Sequence, residues 1–506
     1  MLIGEKKIQT SLANPVLWGV FILYVIVLSF TIAHHELWGD EIHSWNIAKA
    51  STSFSDLISN TRYEGHPPLW YTILWSISKL THNVDYIQLT QLIIASLVVF
   101  LVMFFSPFPL ITRILIPFGY FFLFEYGVLS RNYAIGVLLA FCICIILHKN
   151  FKYKLPVYYV LLFLMSNTHP LGLHLACCLH LYFLLLNSEQ KKKTSTIISH
   201  ILLGAFVLLP SLYFIFPPPD SSLNIHFWMS RWNIKQLTAL IQRLLYAFVP
   251  VPAWWKYNFW NTQFLLEAQR NYPILKFIKI IVLLSLFGMF FSILKKNKKS
   301  LIFFAANLFL SFIVSVFVPL VSARYSGFLF IGFIVAYWLY CSETPVSRNN
   351  KWLVNILLVI QLAGGAFAVV KDIQLPFSNG YRVKELLNQV PQDKKVVTDY
   401  WTLNVLTAFT DKPYYCLEMQ KEMSFLLWNQ ELATMTRRPD PYSVGLKYLF
   451  QKEGIQQVYM ISIHSPQDIP HIDSQLTKLY QVKLIDKREG AIEKGGNLYL
   501  YQISSD

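Results

Sequence analysis

Long apolar runs separated by short polar or basic stretches fill the first 370 residues and predict a bundle of membrane-spanning helices. Runs of spanning or near-spanning length cover Asn14–Ala33, Ile87–Phe105, Leu110–Tyr126, Tyr133–Leu147, Ile197–Phe216, Tyr272–Leu294, Leu301–Leu320, Tyr325–Tyr340 and Trp352–Val370. The run Pro156–Leu186 is too long for one helix and is interrupted at Asn167-Thr-His169-Pro170-Leu-Gly172, so it divides in two. The length rule then gives about eleven transmembrane helices. Pro67–Leu80 is apolar but short, with Pro67 and Pro68 near a first helical turn, where proline is tolerated.

From about Lys371 the pattern changes to that of a small α/β domain. Lys395–Thr398, Gln457–Ser462 and Leu498–Gln502 read as strands, and Tyr381–Gln389 and Tyr442–Gln451 as helices. The expected fold is therefore a polytopic α-helical membrane domain over 1–370 and a soluble α/β domain over 371–506. There is no internal repeat and no low-complexity tract.

Composition agrees with this division. The chain is 55% hydrophobic and 14% charged, against about 25% charged residues in soluble domains. Its net charge of +15 does not point to nucleic acid, because the basic residues fall in short runs between apolar spans. Five of the six cysteines lie in or beside apolar runs, and Cys416 alone lies in the tail, where it has no partner for a disulfide. Asn14–Ala33 follows Lys6 and Lys7 without a convincing cleavage site and reads as a retained helix.

Charge also settles the short segment. With Pro67–Leu80 lying along the membrane surface, Lys6/Lys7, Arg113, Lys149/Lys152/Lys154, Lys191–Lys193, Lys295–Lys299 and Arg348/Lys351 all face the cytoplasm. Asp40, Glu41, His43, Glu64, His66, Glu125, Arg131, His169, His226, Arg231 and Arg324 then fall together on the outer face, with the tail.

Several groups on that face bear chemistry. Adjacent carboxylates at Asp40 and Glu41 suit a general base with a second acid that orients it or binds a divalent cation (Mg or Mn). The plainer reading is a solvated pair capping a helix that starts near Ile42. His34, His35 and His43 lack a zinc spacing and read as structural. Glu125 and Arg131 flank one turn, either as a salt bridge or as an acid and an anion-binding base. Arg324, in Ser322-Ala-Arg324-Tyr325, either snorkels or neutralises a lipid phosphate. Trp228, Trp232, Trp254, Trp255 and Trp260, in the long segment Pro217–Asn271, read as an interfacial belt, some of them free to stack on sugar rings or form a lid.

Trp38-Gly-Asp40-Glu41, Glu64-Gly-His66-Pro67-Pro68-Leu-Trp-Tyr71, Ser130-Arg131-Asn-Tyr133 and Thr168-His169-Pro170 occur in an order that resembles bacterial GT-C glycosyltransferases, relatives of the protein O-mannosyltransferases and lipid A aminoarabinose transferases. The resemblance covers the first two hundred residues, with Arg324 as a later landmark. It implies a GT-C-like fold in the bacterial inner membrane, with juxtamembrane helices in the first outer loop and an active face outside the cytoplasm. It also implies a polyprenyl-phosphate-linked sugar donor and a lipid, glycan or protein acceptor. Asp40 is then catalytic with Glu41 beside it, and the substrate-binding residues are Glu64, His66, Glu125, Arg131, Tyr133, His169 and Arg324. One departure is Leu129, where many relatives carry an acid two places before the arginine; Glu125 stands one helical turn earlier. The competing class is a transporter or flippase of lipid-linked saccharides, which calls for ionisable residues at the midplane of several helices.

Overall fold

Asn14 sets the start of the first helix, its side-chain oxygen accepting from the Val16 N–H at 3.0 Å with Pro15 at the first helical position. The computed structural model describes residues 11–190, 192–222, 242–317 and 322–505. Eight of its helices are long and apolar enough to cross a membrane: α1 (Pro15–His34), α4 (Tyr86–Phe105), α5 (Leu110–Val128), α8 (Pro170–Glu189), α9 (Thr194–Ile215), α10 (Leu275–Leu294), α12 (Ala323–Glu343) and α13 (Arg348–Gln374). Between them lie α6 (Tyr133–Leu147), α7 (Lys154–Ser166) and α11 (Lys298–Phe317). The last overlaps the expected run Leu301–Leu320, whose final residues fall outside the described ones. The chain is a polytopic helical membrane protein with a small sheet domain at its C-terminal end.

Apolarity on all sides places α12 in the middle of the bundle, buried from Ser326 to Tyr340. Helices α1 and α10 instead turn Ile22, Ile26, Phe30, Ile281 and Leu284 outward, as lipid-facing helices do. Gly364 and Gly365 let α13 pass against the carbonyls of Pro250 and Phe118, where a Cβ would collide. Helix α5 changes pitch along its length. It runs as an α-turn to Leu115, a 3-10 turn over Ile116–Phe118 and a π-helix over Phe121–Val128.

Three short helices follow α1, the middle one being Phe54–Thr61. Helix α2 (Gly39–Ala50) starts three residues before the expected Ile42, with Trp38 at the cap. Glu41, at its third position, accepts from the Trp38 backbone N–H at 3.0 Å, so Glu41 and not Asp40 does the capping. Helix α3 (Leu69–Ser78) begins just after Pro68 and packs on α2; its ten residues are too few to span.

The C-terminal domain is a six-stranded sheet of order β3-β2-β1-β4-β6-β5. The strands are β1 (Lys395–Thr398), β2 (Tyr414–Cys416), β3 (Lys421–Met423), β4 (Gln457–Ser462), β5 (Tyr480–Arg488) and β6 (Leu498–Ser505). Strand β1 is parallel to β2 and β4; the other pairs are antiparallel. Two expected strands have the observed limits, and the third continues to Ser505. The expected helix Tyr381–Gln389 is only a 3-10 turn followed by Val383–Leu387. Helix α15 (Pro441–Glu453) contains the other. Helix α14 (Tyr400–Thr410), between β1 and β2, fastens the domain to α2. Asn46 Nδ2 donates to the Asn404 carbonyl at 2.8 Å, and Lys49 pairs with Asp411 at 2.7 Å. Cys142, Cys144, Cys177, Cys178 and Cys416 are free thiols.

Candidate active site

The polar groups singled out in the sequence gather at one end of the bundle, against the C-terminal domain. The lysines of Lys295–Lys299 occupy the other end, where Lys299 meets Glu343 at 3.0 Å. Asp40 is in the first turn of α2, Arg131 in the turn from α5 to α6, and Arg324 in the first turn of α12. Arg324 Nη1 donates to Asp40 Oδ2 at 2.6 Å. Arg131 Nη2 lies 3.7 Å from the same oxygen, and its Nη1 donates to the Asp40 backbone carbonyl. Burial alone would raise the Asp40 pKa, but Arg324 and Arg131 outweigh it and hold the carboxyl at about 2. The carboxylate is nevertheless 41 % exposed, so it opens to solvent away from the arginines.

The arginines are not used up by this contact. The Nε–H groups of Arg131 and Arg324 are buried and have no hydrogen-bond partner among the described residues. The Arg324 guanidinium lies 5.3 Å from the Trp38 ring and 5.1 Å from that of Tyr325. Half-buried His66 faces both arginines, and its Nδ1 also has no partner among the described residues. Burial and then the two guanidiniums push its pKa down to about 3, so the imidazole is neutral. Tyr133 and His169 form the wall next to Arg131. Their rings are 4.9 Å apart, and His169 Nδ1 caps α8 by accepting from the Gly172 N–H at 3.1 Å. Burial keeps His169 neutral as well.

Other expected site residues point elsewhere. The buried Glu41 carboxylate accepts from the N–H groups of Trp38 and Ser130, and lies 3.3 Å from His35 Nε2. His35 Nδ1 is in turn 3.0 Å from Asp372 of α13. Glu41 thus holds the turn that carries Arg131 against α2, beside Asp40 in sequence but not in direction. Glu64 meets His43 Nε2 at 3.0 Å and the Tyr71 hydroxyl at 3.2 Å, pinning the loop that carries His66. The alternative of a Glu125–Arg131 salt bridge is not realised, because Arg131 turns to Asp40. Glu125 accepts from Tyr120 at 3.0 Å and Trp260 Nε1 at 3.2 Å, and its other oxygen has no partner among the described residues.

Trp260 is not an interfacial residue as expected: it packs edge to face on Trp38 at 4.8 Å, behind Arg324. Trp254 and Trp255 are exposed. His226, Arg231, Trp228 and Trp232 lie outside the described residues. Trp260, Asp372 and Asn404 were not legible as site residues, since only tertiary contact brings them here. No three His, Cys, Asp or Glu side chains among the described residues are arranged to hold a metal ion. Asp40 and Glu41 do not converge, and a divalent cation at Asp40 would face two guanidiniums, so this donor set does not fit one. Compared with known proteins, the chain matches no family model and no curated protein.

Proposed function

We propose that this chain is an integral membrane glycosyltransferase that moves a sugar from a polyprenyl-phosphate-linked donor to an acceptor hydroxyl on the outer face of the membrane. The observation that carries this reading is the pair of buried, unpartnered Nε–H groups on Arg131 and Arg324, flanking a carboxylate that is open to solvent. Two guanidiniums with spare donors at a bundle end suit a lipid-linked phosphate, which their planar forks contact bidentately. The lysine runs at the other end support the outward orientation and eleven-span topology, by the positive-inside rule.

In the resting site Asp40 is a weak base, because the arginines hold its pKa at about 2. A donor phosphate that takes over the guanidiniums removes that stabilisation and raises the proton affinity of Asp40. The freed carboxylate then accepts the proton of the acceptor hydroxyl as its oxygen attacks the anomeric carbon. The carbon–oxygen bond to phosphate breaks on the opposite side, the configuration inverts, and Arg131 and Arg324 stabilise the phosphate that leaves. Neutral His66 offers hydrogen bonds to the sugar without adding charge. Glu41 and Glu64 act as positioning residues.

Asp40→Asn tests the assignment. It keeps size and shape but cannot take a proton, and should lower transfer from a synthetic polyprenyl-phosphate sugar by roughly two to four orders of magnitude. Thermal stability should be nearly unchanged. A folded Asp40→Asn protein with near-normal transfer would refute the role of Asp40 and return the chain to the transporter class.

A further inference from the structure

We infer that the carboxyl edge of the C-terminal sheet, where Trp401 and Trp428 pack beside Tyr400, is a saccharide-binding site that adjoins the Asp40 site across buried His43. As the place where the acceptor is held, it rests on the glycosyltransferase reading; its geometry does not.

Topology gives the first reason. The parallel strands β2 and β4 flank β1 on opposite sides, so the chain reverses direction across the sheet at the carboxyl end of β1. Crevices at such points are where open α/β sheets bind ligands. Tyr400 and Trp401 follow β1 there, after Asp399.

The edge is firmly built. The buried Asp399 carboxylate accepts from the Thr402 N–H at 2.9 Å and its hydroxyl at 2.8 Å. Glu418, just beyond β2 and also buried, accepts from the Tyr400 N–H at 3.1 Å. From the membrane domain, Ser222 N–H and the Ser221 hydroxyl donate to the Trp428 carbonyl at 2.8 and 2.9 Å. Two buried acids and a cross-domain loop therefore hold the backbones that present the rings.

The rings pack side by side, with Trp401 outermost. Tyr400 and Trp401 have centroids 4.4 Å apart, and Trp401 and Trp428 6.0 Å. Trp401 is 48 % exposed, although Tyr400 and Thr402–Asn404 around it are buried. No hydrogen bond among the described residues occupies the indole N–H of Trp401 or Trp428. An open indole face with a free N–H at its edge complements a pyranose, whose C–H face packs on the ring while its hydroxyls meet water and donors. The surface also backs onto the reaction site across buried His43. The Trp428 ring is 5.8 Å from His43, which bonds Asn404 at 3.2 Å and lies one turn along α2 from Asp40.

The full-length protein in detergent should bind at least one of chitotetraose, maltotetraose and mannotetraose, followed by saturation-transfer NMR and tryptophan fluorescence. Trp401→Ala and Trp428→Ala should each weaken binding at least tenfold at unchanged thermal stability, and Trp401→Tyr should retain most of it. Asp40→Asn should bind normally. Binding of none of the three saccharides, or binding indifferent to both tryptophans, would overturn the proposal. So would a Trp401→Ala defect confined to association of the protein with anionic lipid vesicles, which would make the surface a membrane anchor. Normal transfer by Asp40→Asn with tryptophan-dependent binding would overturn the glycosyltransferase reading alone.

Discussion

Asp40 and Arg324 stand 284 positions apart in the chain and meet at 2.6 Å, the carboxylate 41 % exposed. Arg324 is only 17 % exposed, so the pair is open to solvent on the carboxylate side alone, and screening there keeps its contribution to stability on the order of 1 kcal/mol. The fold has therefore brought two distant segments together for little stabilisation, and the contact is better explained by what the groups do when a third party separates them. Removing Arg324 should leave thermal unfolding nearly unchanged.

Its effect on the donor should be larger. Arg324→Ala should raise the apparent KM for a polyprenyl-phosphate sugar by about tenfold to a hundredfold, the equivalent of a charge-assisted hydrogen bond of about 1.5–3 kcal/mol. Arg324→Lys should recover part of this, since a lysine supplies the charge without the fork. If both variants kept wild-type KM, Arg324 would be a snorkelling anchor and the phosphate role would pass to Arg131.

Glu41 separates positioning from catalysis. Its carboxylate receives the Trp38 and Ser130 N–H groups and faces His35. Glu41→Gln should cost about 3–5 kcal/mol, the usual consequence of removing one partner from a buried charge network. The protein that remains folded should transfer sugar at a near wild-type rate. Unchanged thermal stability with collapsed kcat would make Glu41 catalytic instead.

The membrane helices were legible because an apolar run bounded by polar residues has few alternatives, and β1 and β4 because each is a short run of β-branched and other apolar residues between polar ends. Strands β2 and β3 have three residues each and carry no periodicity to detect. Reading the α2 start at Ile42 rather than Gly39 hid the divergence of Asp40 and Glu41, which successive helical positions turn by roughly 100°. The π-turn in α5 likewise directs Glu125 to Tyr120 and Trp260 rather than to Arg131, which spacing along an ordinary α-helix does not anticipate. Asp40, Arg131 and Arg324 were legible as ionisable residues at helix ends, but their convergence on one another is a tertiary fact. Trp260 and Trp428 lie in irregular segments, where no pattern marks them.

Sidedness has a direct readout. Lys421, exposed on β3, belongs to the C-terminal domain, and Lys296 to the lysine-rich end. Lys421→Cys should react with a membrane-impermeant maleimide in intact cells, above the background of the native thiols, while Lys296→Cys should react only after permeabilisation. The reverse pattern would place the Asp40 site in the cytoplasm, where nucleotide sugars are available, and remove the argument for a lipid-linked donor.

His35 provides a pH signature of the architecture itself. It is buried between Glu41 at 3.3 Å and Asp372 at 3.0 Å, tying the end of α1 to α2 and α13. Burial disfavours the charged imidazole, but the two carboxylates outweigh it and raise the pKa from 6.5 to about 10. The folded state thus binds this proton more tightly than the unfolded chain does. The associated stability is fully present below about pH 6.5 and is lost as pH rises toward about 10. In a fixed detergent, the thermal midpoint should therefore fall between pH 7 and pH 10. His35→Gln should be less stable at pH 7, by about 3–5 kcal/mol, with a midpoint that changes much less over the same interval. A wild-type midpoint that stays level across that range would mean that His35 is neutral in the fold, and the Glu41–His35–Asp372 network would then be held by hydrogen bonds alone.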